Sequence, residues 1–514
     1  MLKNEPYNAI IIGSGIGGLS AAALLARIKR YRVLVLERHF QLGGFTHTFR
    51  RRGGYHWDVG LHYVGEMHPG EPLRLAMDFI TGDRVKWVQM QDPFEVFQFP
   101  GLKFEVPSDP NVYLQKLVDL FPNEQQQLRN YFRDVELSAL SLQDRSLPFL
   151  GRLGYHKHVA RHYFDIAMQP LKAYLDSCFQ DNRLKGLLAS QWGDYGLPPK
   201  RASFGIHSLT VQHYLRGGYY PVGSSSTLSD AVKTVVKDAG GELKVNNTVK
   251  KILVENGRAV GVEVESQKGL EAFFAPEIYS DVGAEATYGK LLPAETLNPD
   301  EFKELCTAHT YSAVVLYMGL KSRCEHLGIY GQNFWIFDDF DHDAIWERRN
   351  RLAVGEASSC YLSFPGIKDP LSQKPTAEIM ASLDYSVFQQ WKDTVWRKRG
   401  SEYEMLKNRI IKTLLEFVDS RIPGFLAEVD YVELSTPLSS EYFSSHREGN
   451  LYGFPGIPRR YSLKSLSPKT TIEGLTVVGT DAYSHGITGA MMGGILGVSA
   501  QHGVGILQQV FKKK

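Results

Sequence analysis

The sequence predicts an α/β protein. A Rossmann-like dinucleotide-binding domain with a parallel sheet is assembled from N- and C-terminal segments, and a mixed α+β region is inserted between them. Three observations predict it. A glycine-rich turn separates an apolar strand from a small-residue helix near the N-terminus. An acid closes the next strand at the spacing a dinucleotide ribose needs. A last buried strand and a glycine-rich helix appear only near the C-terminus.

Tyr7 to Ile12 is a short apolar run with β-branched residues and reads as a buried parallel strand. Gly13-Ser14-Gly15-Ile16-Gly17-Gly18 follows and matches GxGxxG. The first glycine permits the tight turn, the second lets a pyrophosphate approach the backbone, and the third lets helix and strand pack closely. The alanine- and leucine-rich stretch Gly18 to Arg30 reads as the helix whose N-terminal amides face the phosphates. Arg32 to Leu36 is the next strand, which completes a βαβ unit, and Glu37 ends it, nineteen residues after Gly18.

The middle of the chain is mixed. Asn111–Leu120, Glu124–Leu142 and Leu228–Ala239 read as helices, the last ended by Gly240-Gly241. Glu242–Val245, Val249–Glu255 and Ala259–Glu265 read as strands, with Asn256-Gly257 a strong hairpin turn. Further strands are expected at Tyr311–Leu320, Tyr361–Phe364 and Leu475–Gly479, a long helix over Val387–Phe417 with a break at Gly400, and a small-residue helix over Gly489–Val510. The resulting division gives three pieces of dinucleotide domain (1–68, 216–290 and 441–514). Between them lie a substrate- or membrane-facing segment (69–215) and a substrate domain (291–440).

Composition narrows the function classes. With 58 basic and 56 acidic side chains the net charge is +2, which gives no general attraction to nucleic acid. Cys178, Cys306, Cys324 and Cys360 form no CxxC and lie at no zinc spacing, so they read as reduced structural thiols. Met1 to Asn8 holds Lys3, Glu5 and Pro6 and is no secretory signal. The uncharged run Ala9 to Ala26 is better explained by strand, turn and helix than by a membrane span. A cytoplasmic protein is expected. His158 and His162 are four apart without a third ligand, and the Asp338–Asp343 stretch lacks the glycine and terminal glutamate of a calcium loop, so no metal is expected.

The residues after Glu37 favour FAD over NAD. Arg38 leads into Gly43-Gly44-Phe45-Thr46, a second glycine pair that lets the chain wrap the cofactor. Near the C-terminus, Gly479-Thr480-Asp481 closes a strand and Thr488-Gly489-Ala490 opens a helix, an arrangement suited to a ribityl chain and flavin ring. Val249 joins the expected cofactor contacts, together with Gly13, Ser14, Gly15, Gly17, Gly18 and Glu37.

Several motifs resemble those of the phytoene desaturase and carotenoid isomerase superfamily, and within it the retinol saturases. They are Leu42–Phe49 (LGGFTHTF), Asp58–Met67 (DVGLHYVGEM), Trp192–Pro199 (WGDYGLPP), Gly217–Ser226 (GGYYPVGSSS) and Gly479–Gly494 (GTDAYSHGITGAMMGG). They span nearly the whole chain in the family's order. The resemblance implies FAD, a flavin-facing tunnel and hydrophobic polyene substrates. The sequence departs at Ser280-Asp281-Val282-Gly283, where an asparagine-alanine-glycine-like turn is more usual, and at Tyr483-Ser484-His485. Animal members also begin with a hydrophobic targeting segment, whereas this sequence begins almost at the nucleotide strand.

Saturating a carbon–carbon double bond takes a hydride and a proton. His62, within the second motif, is the first candidate for the proton site, and His485 the second; either can equally be a structural histidine. Tyr219 and Tyr220 read as substrate-path or core residues. No second Rossmann unit is visible, so NAD(P)H would bind transiently as reductant or a redox partner would reduce the flavin. The basic, aromatic stretch Gly151–Tyr174 and the Lys512–Lys514 tail suit peripheral contact with a membrane, from which an oily substrate would enter. The alternatives are a carotenoid isomerase or desaturase, an enzyme of unsaturated fatty acyl chains, and a non-catalytic lipid-binding protein that keeps flavin as a remnant.

Overall fold

The computed structural model describes residues 7–146, 157–293, 296–308 and 311–512. Leu147 to His156, the side chains of Lys157 and His158, and Lys513-Lys514 lie outside the described residues. The basic, aromatic stretch Gly151–Tyr174 is therefore described only from Lys157 onward.

The nucleotide sheet has five strands in the order Leu475–Val477, Glu277–Ser280, Ala9–Ile12, Val33–Leu36, Glu242–Lys244. Every pairing is parallel, with Ile10 opposite both Ile278 and Leu34. Numbered along the chain, this is the 5-4-1-2-3 order of a doubly wound fold. Its switch point lies between Ala9–Ile12 and Glu277–Ser280, and ligands of such sheets bind beyond the carboxyl ends of the strands there. The strands come from the beginning, middle and end of the chain. The helix Ile16–Leu24 is buried along its whole length and ends through a wider turn, Leu25–Lys29, at Arg30 in a left-handed conformation.

Thr248–Glu255, Arg258–Ser266 and Gly269–Phe274 form a three-stranded antiparallel ribbon. Asn256 and Gly257 at its first turn both have positive φ, 51° and 78°, as a two-residue hairpin demands. A seven-stranded mixed sheet carries the second half of the molecule. Its order is Val429–Ser435, Ala313–Leu320, Thr376–Ser382, Ser359–Ser363, Asn333–Phe337, Glu95–Phe99, Leu102–Val106. The helix Ser401–Asp419 packs in the core on this sheet, and the helices Pro110–Leu120, Gln125–Ser146 and Phe204–Tyr214 contribute to the aromatic core beside it.

Three expected helices end differently. The helix placed over Val387–Phe417 begins only at Ser401, because Gly400 stands at φ 87° and no helix continues through it. Gly503, also at φ 87°, divides Gly489–Val510 into Gly486–His502 and Gly505–Val510. Within 157–178 the helix divides at Pro170 into Lys157–Ala167 and Leu171–Cys178. All four cysteines are free thiols. In the Asp338–Asp343 stretch, Asp341 caps the helix His342–Glu347 and Asp338 pairs with Arg348 at 2.6 Å.

Candidate functional site

A cavity of about 1390 Å³ opens at the switch point of the nucleotide sheet. It exceeds the roughly 300–1,000 Å³ of an ordinary ligand pocket, so it has room for a dinucleotide and a second molecule. Gly13, Ser14, Gly15, Gly17, Glu37, Arg38, Gly43, Gly44, Phe45, Thr46, Val249, Thr480, Asp481, Thr488, Gly489 and Ala490 all line it, as do His62 and His485. Gly18 and Gly479 lie just behind this wall, where they permit close packing.

The turn is built for a backbone-lined ligand. Gly13 has φ 92°. A Cβ on Gly17 would fall 2.5 Å from Gly479 Cα, and one on Gly494 would fall 2.2 Å from the Gly17 carbonyl oxygen. The C-terminal helix therefore crosses the turn backbone against backbone. Glu37 Oε2 accepts from Ser14 N at 2.9 Å and Ser14 Oγ at 2.6 Å, while Oε1 accepts from His39 N at 2.7 Å. The Glu37 carboxylate thus ties the turn to the second strand and still lines the cavity. In Glu37→Ala these buried donors lose their acceptor at about 1–3 kcal/mol each. Flavin-to-protein ratios of the purified variant are expected to fall far below those of the parent.

Asp281, at the end of the fourth strand, faces the same glycines. Its Oδ2 is buried with no partner, and a Cβ on Gly15 would lie 2.6 Å from it. Burial pushes its carboxyl up to about 7, with the charges of Glu37 and Asp481 adding to the rise. A carboxyl that is easily neutral can sit beside a pyrophosphate without strong repulsion. Asp481 accepts from Phe454 N and Ala284 N, both at 2.8 Å, so it also pins two neighbouring loops. The glycine turn, Glu37 and this unpartnered oxygen border one cavity and fit an FAD.

His62 lies in the wall with Nδ1 3.1 Å from Glu378 Oε2, but without the alignment of a hydrogen bond. Burial, with Lys368 adding, pushes its imidazole down to about 3. Lys368 Nζ donates to the His62 carbonyl at 2.8 Å, to Asn333 Oδ1 and to Ser363 Oγ. His485 Nε2 lies 2.8 Å from the Phe454 carbonyl, and burial likewise holds it down to about 3. Both histidines are therefore neutral at physiological pH, and neither stores a proton as imidazolium. Tyr219 and Tyr220 belong to the core, where Tyr220 hydrogen-bonds to Asp58.

Beside His62 the wall becomes aromatic. Tyr63 stacks on Tyr214 with ring centroids 4.1 Å apart, and Ile206, Leu209, Leu73 and Val64 continue an apolar lining. Set into it is an acid pair, Glu95 buried and Asp194 half-buried, that the sequence reading did not find. Asp194 lines the cavity, and Glu95 lies wholly buried behind it. Tyr63 stands between them, its hydroxyl hydrogen-bonded to Glu95 and, at 2.9 Å, to Asp194. Asp194 sits within the Trp192–Pro199 motif, which offered a signal; Glu95 in the strand Glu95–Phe99 offered none.

A family profile described as the NAD(P)-binding Rossmann-like domain matches residues 11–79. An all-trans-retinol 13,14-reductase of Danio rerio is 30% identical over 96% of this chain and 85% of its own length. A chloroplastic prolycopene isomerase of Arabidopsis thaliana is 27% identical over 95% of this chain and 82% of its own. Among solved structures, an oxidoreductase from Methanosarcina mazei superposes with a TM-score of 0.63 at 17% identity, covering 96% of this chain and 99% of that one. This last likeness is one of fold.

Proposed function

The chain belongs to the all-trans-retinol 13,14-reductase family of FAD-dependent oxidoreductases, and on that premise we propose that it saturates one carbon–carbon double bond of a retinoid or a related polyene. The observation that carries the reading is that one cavity is lined both by the dinucleotide turn and by an apolar, aromatic wall. Gly13 to Gly18 would hold the pyrophosphate, Glu37 a ribose, and the N-terminus of Gly486–His502 with Thr480 and Asp481 the flavin end. FAD, when bound and reduced, supplies hydride. The chain's own part is to hold the polyene against the Tyr63–Tyr214 wall, keep water out and deliver a proton.

Electrons would come from NAD(P)H bound transiently or from a redox partner protein. Entry of the substrate from a membrane surface is supported by the helix Lys157–Ala167, which exposes Arg161 and His162 beside half-buried Tyr163 and Phe164. Among the described residues no helix is long and apolar enough to cross a membrane. The test is anaerobic: the flavin is reduced, all-trans-retinol is added, and both chromophores are followed. Loss of polyene absorbance with matching flavin reoxidation is expected. A polyene shift with the flavin still reduced would instead make the protein an isomerase, and no change in either would refute a retinoid substrate.

A further inference from the structure

The geometry points to Asp194 as the proton donor of the reduction, holding a carboxylic acid proton on the cavity wall through Tyr63 and Glu95. This rests on the saturase reading and names the residue that completes it.

Tyr63 OH makes two short oxygen contacts, to Glu95 Oε1 and to Asp194 Oδ2, and a hydroxyl has one proton. The second contact must be bridged by a proton from a carboxyl. Glu95 is already served by N–H donors that carry no acceptor function: Trp335 Nε1 at 3.0 Å on Oε1 and Gln191 Nε2 at 2.8 Å on Oε2. Three donors converge on Glu95, which makes it the better place for the negative charge. The extra proton therefore belongs to Asp194, which donates to the Tyr63 oxygen while Tyr63 donates to Glu95.

The surroundings agree. The titratable groups that act on Asp194 include Glu95 and the hydroxyls of Tyr63, Tyr195, Tyr214, Tyr311, Tyr361 and Tyr452, and the neutral His62 lines the same pocket. None is a cation; the buried Lys368 acts on Glu95. Burial, with the Glu95 charge adding, pushes Asp194 well above the usual carboxylate range. Of the two acids, only Asp194 reaches the cavity.

One carbon of the double bond accepts a hydride, whose two electrons come from reduced flavin. Its neighbour accepts the Asp194 proton, and two C–H bonds replace the π bond. Asp194 is left as carboxylate, and the Tyr63 hydroxyl can swing from Glu95 to donate to it. Solvent then restores the proton.

The test uses FAD-loaded protein in three forms: parent, Asp194→Asn and Tyr63→Phe. Infrared spectra at neutral pH should show a neutral carboxyl C=O band in the parent that Asp194→Asn removes and Tyr63→Phe shifts. Anaerobic single turnover with all-trans-retinol should slow by about a hundredfold or more in Asp194→Asn, the scale of a lost general acid. The parent rate should hold at low pH and fall as pH rises through the Asp194 pKa, because the protonated form is the donor. Asp194→Asn should be flat over that window. An unchanged carboxyl band, or parent-like turnover by flavin-loaded Asp194→Asn, overturns the assignment. If parent flavin is not reoxidised by retinol, the substrate reading fails instead, and the infrared band still decides whether Asp194 stores the proton.

Discussion

Gly17→Ala is expected to purify without flavin. The added Cβ would lie 2.5 Å from Gly479 Cα, 2.8 Å from Gly479 N and 2.6 Å from Asp281 Oδ1. The first two are backbone atoms fixed by the last strand and by the crossing helix Gly486–His502, so they cannot rotate away. Relief requires the helix to lift from the turn, yet Gly493 and Gly494 exist to bring it close: a Cβ there would fall 2.0 Å from the Gly479 oxygen and 2.2 Å from the Gly17 oxygen. Overpacking of this kind costs about 1–3 kcal/mol, and here it also displaces the turn that would hold the pyrophosphate. Gly505→Ala, where nothing lies within 4 Å of the new Cβ, is the matched control and should keep its flavin. Visible absorbance per protein, measured on both, checks the prediction.

The second large effect is one of stability. Asp58 is 1% exposed and its carboxylate joins two segments far apart in sequence. Oδ1 accepts from Ser225 N at 2.9 Å and Ser225 Oγ at 2.6 Å, and Oδ2 is bonded by Tyr220. Asp58→Ala leaves the Ser225 amide and the Tyr220 hydroxyl buried and unpaired, at about 1–3 kcal/mol each. A loss of about 3–5 kcal/mol is expected, visible in denaturant unfolding of the flavin-loaded protein. Asp58→Asn keeps an acceptor for Ser225 and should recover about half of the loss. Because Val59, Gly60 and His62 follow Asp58 into the cavity wall, Asp58→Ala should also weaken flavin retention.

How much of this was legible in the sequence depends on how local the determinant is. The turn Gly13–Gly18, Glu37 and the hairpin at Asn256-Gly257 are set by spacings of a few residues to a few tens, and their chemistry can be read along the chain. The parallel strand Glu277–Ser280 has only four residues, three of them buried, and no periodicity, so only its neighbours identify it. The break at Gly400 could be read from the glycine, whereas the one at Gly503 turned on a positive φ that glycine permits but does not announce. The acid pair was out of reach for another reason. Glu95 stands 32 residues from Tyr63 and Asp194 stands 131 from it, and they meet only because the mixed sheet and the turn after Ser190 fold onto one wall. In EVFQF a glutamate reads as the solvent side of a strand, whereas here it is fully buried beneath three donors. His62 could be singled out because it lies within a sequence motif, and it lines the cavity. Its burial, which keeps it neutral, is a tertiary property.

If this cavity adds two hydrogens across a polyene double bond, the product must carry both. The most direct measurement is the mass of the product from one anaerobic turnover of the flavin-reduced protein with all-trans-retinol, run in ordinary and in deuterated water. The account predicts a product heavier by two hydrogens in ordinary water, with solvent deuterium at the carbon protonated by the protein. A product of unchanged mass, or one lighter by two hydrogens, would contradict it.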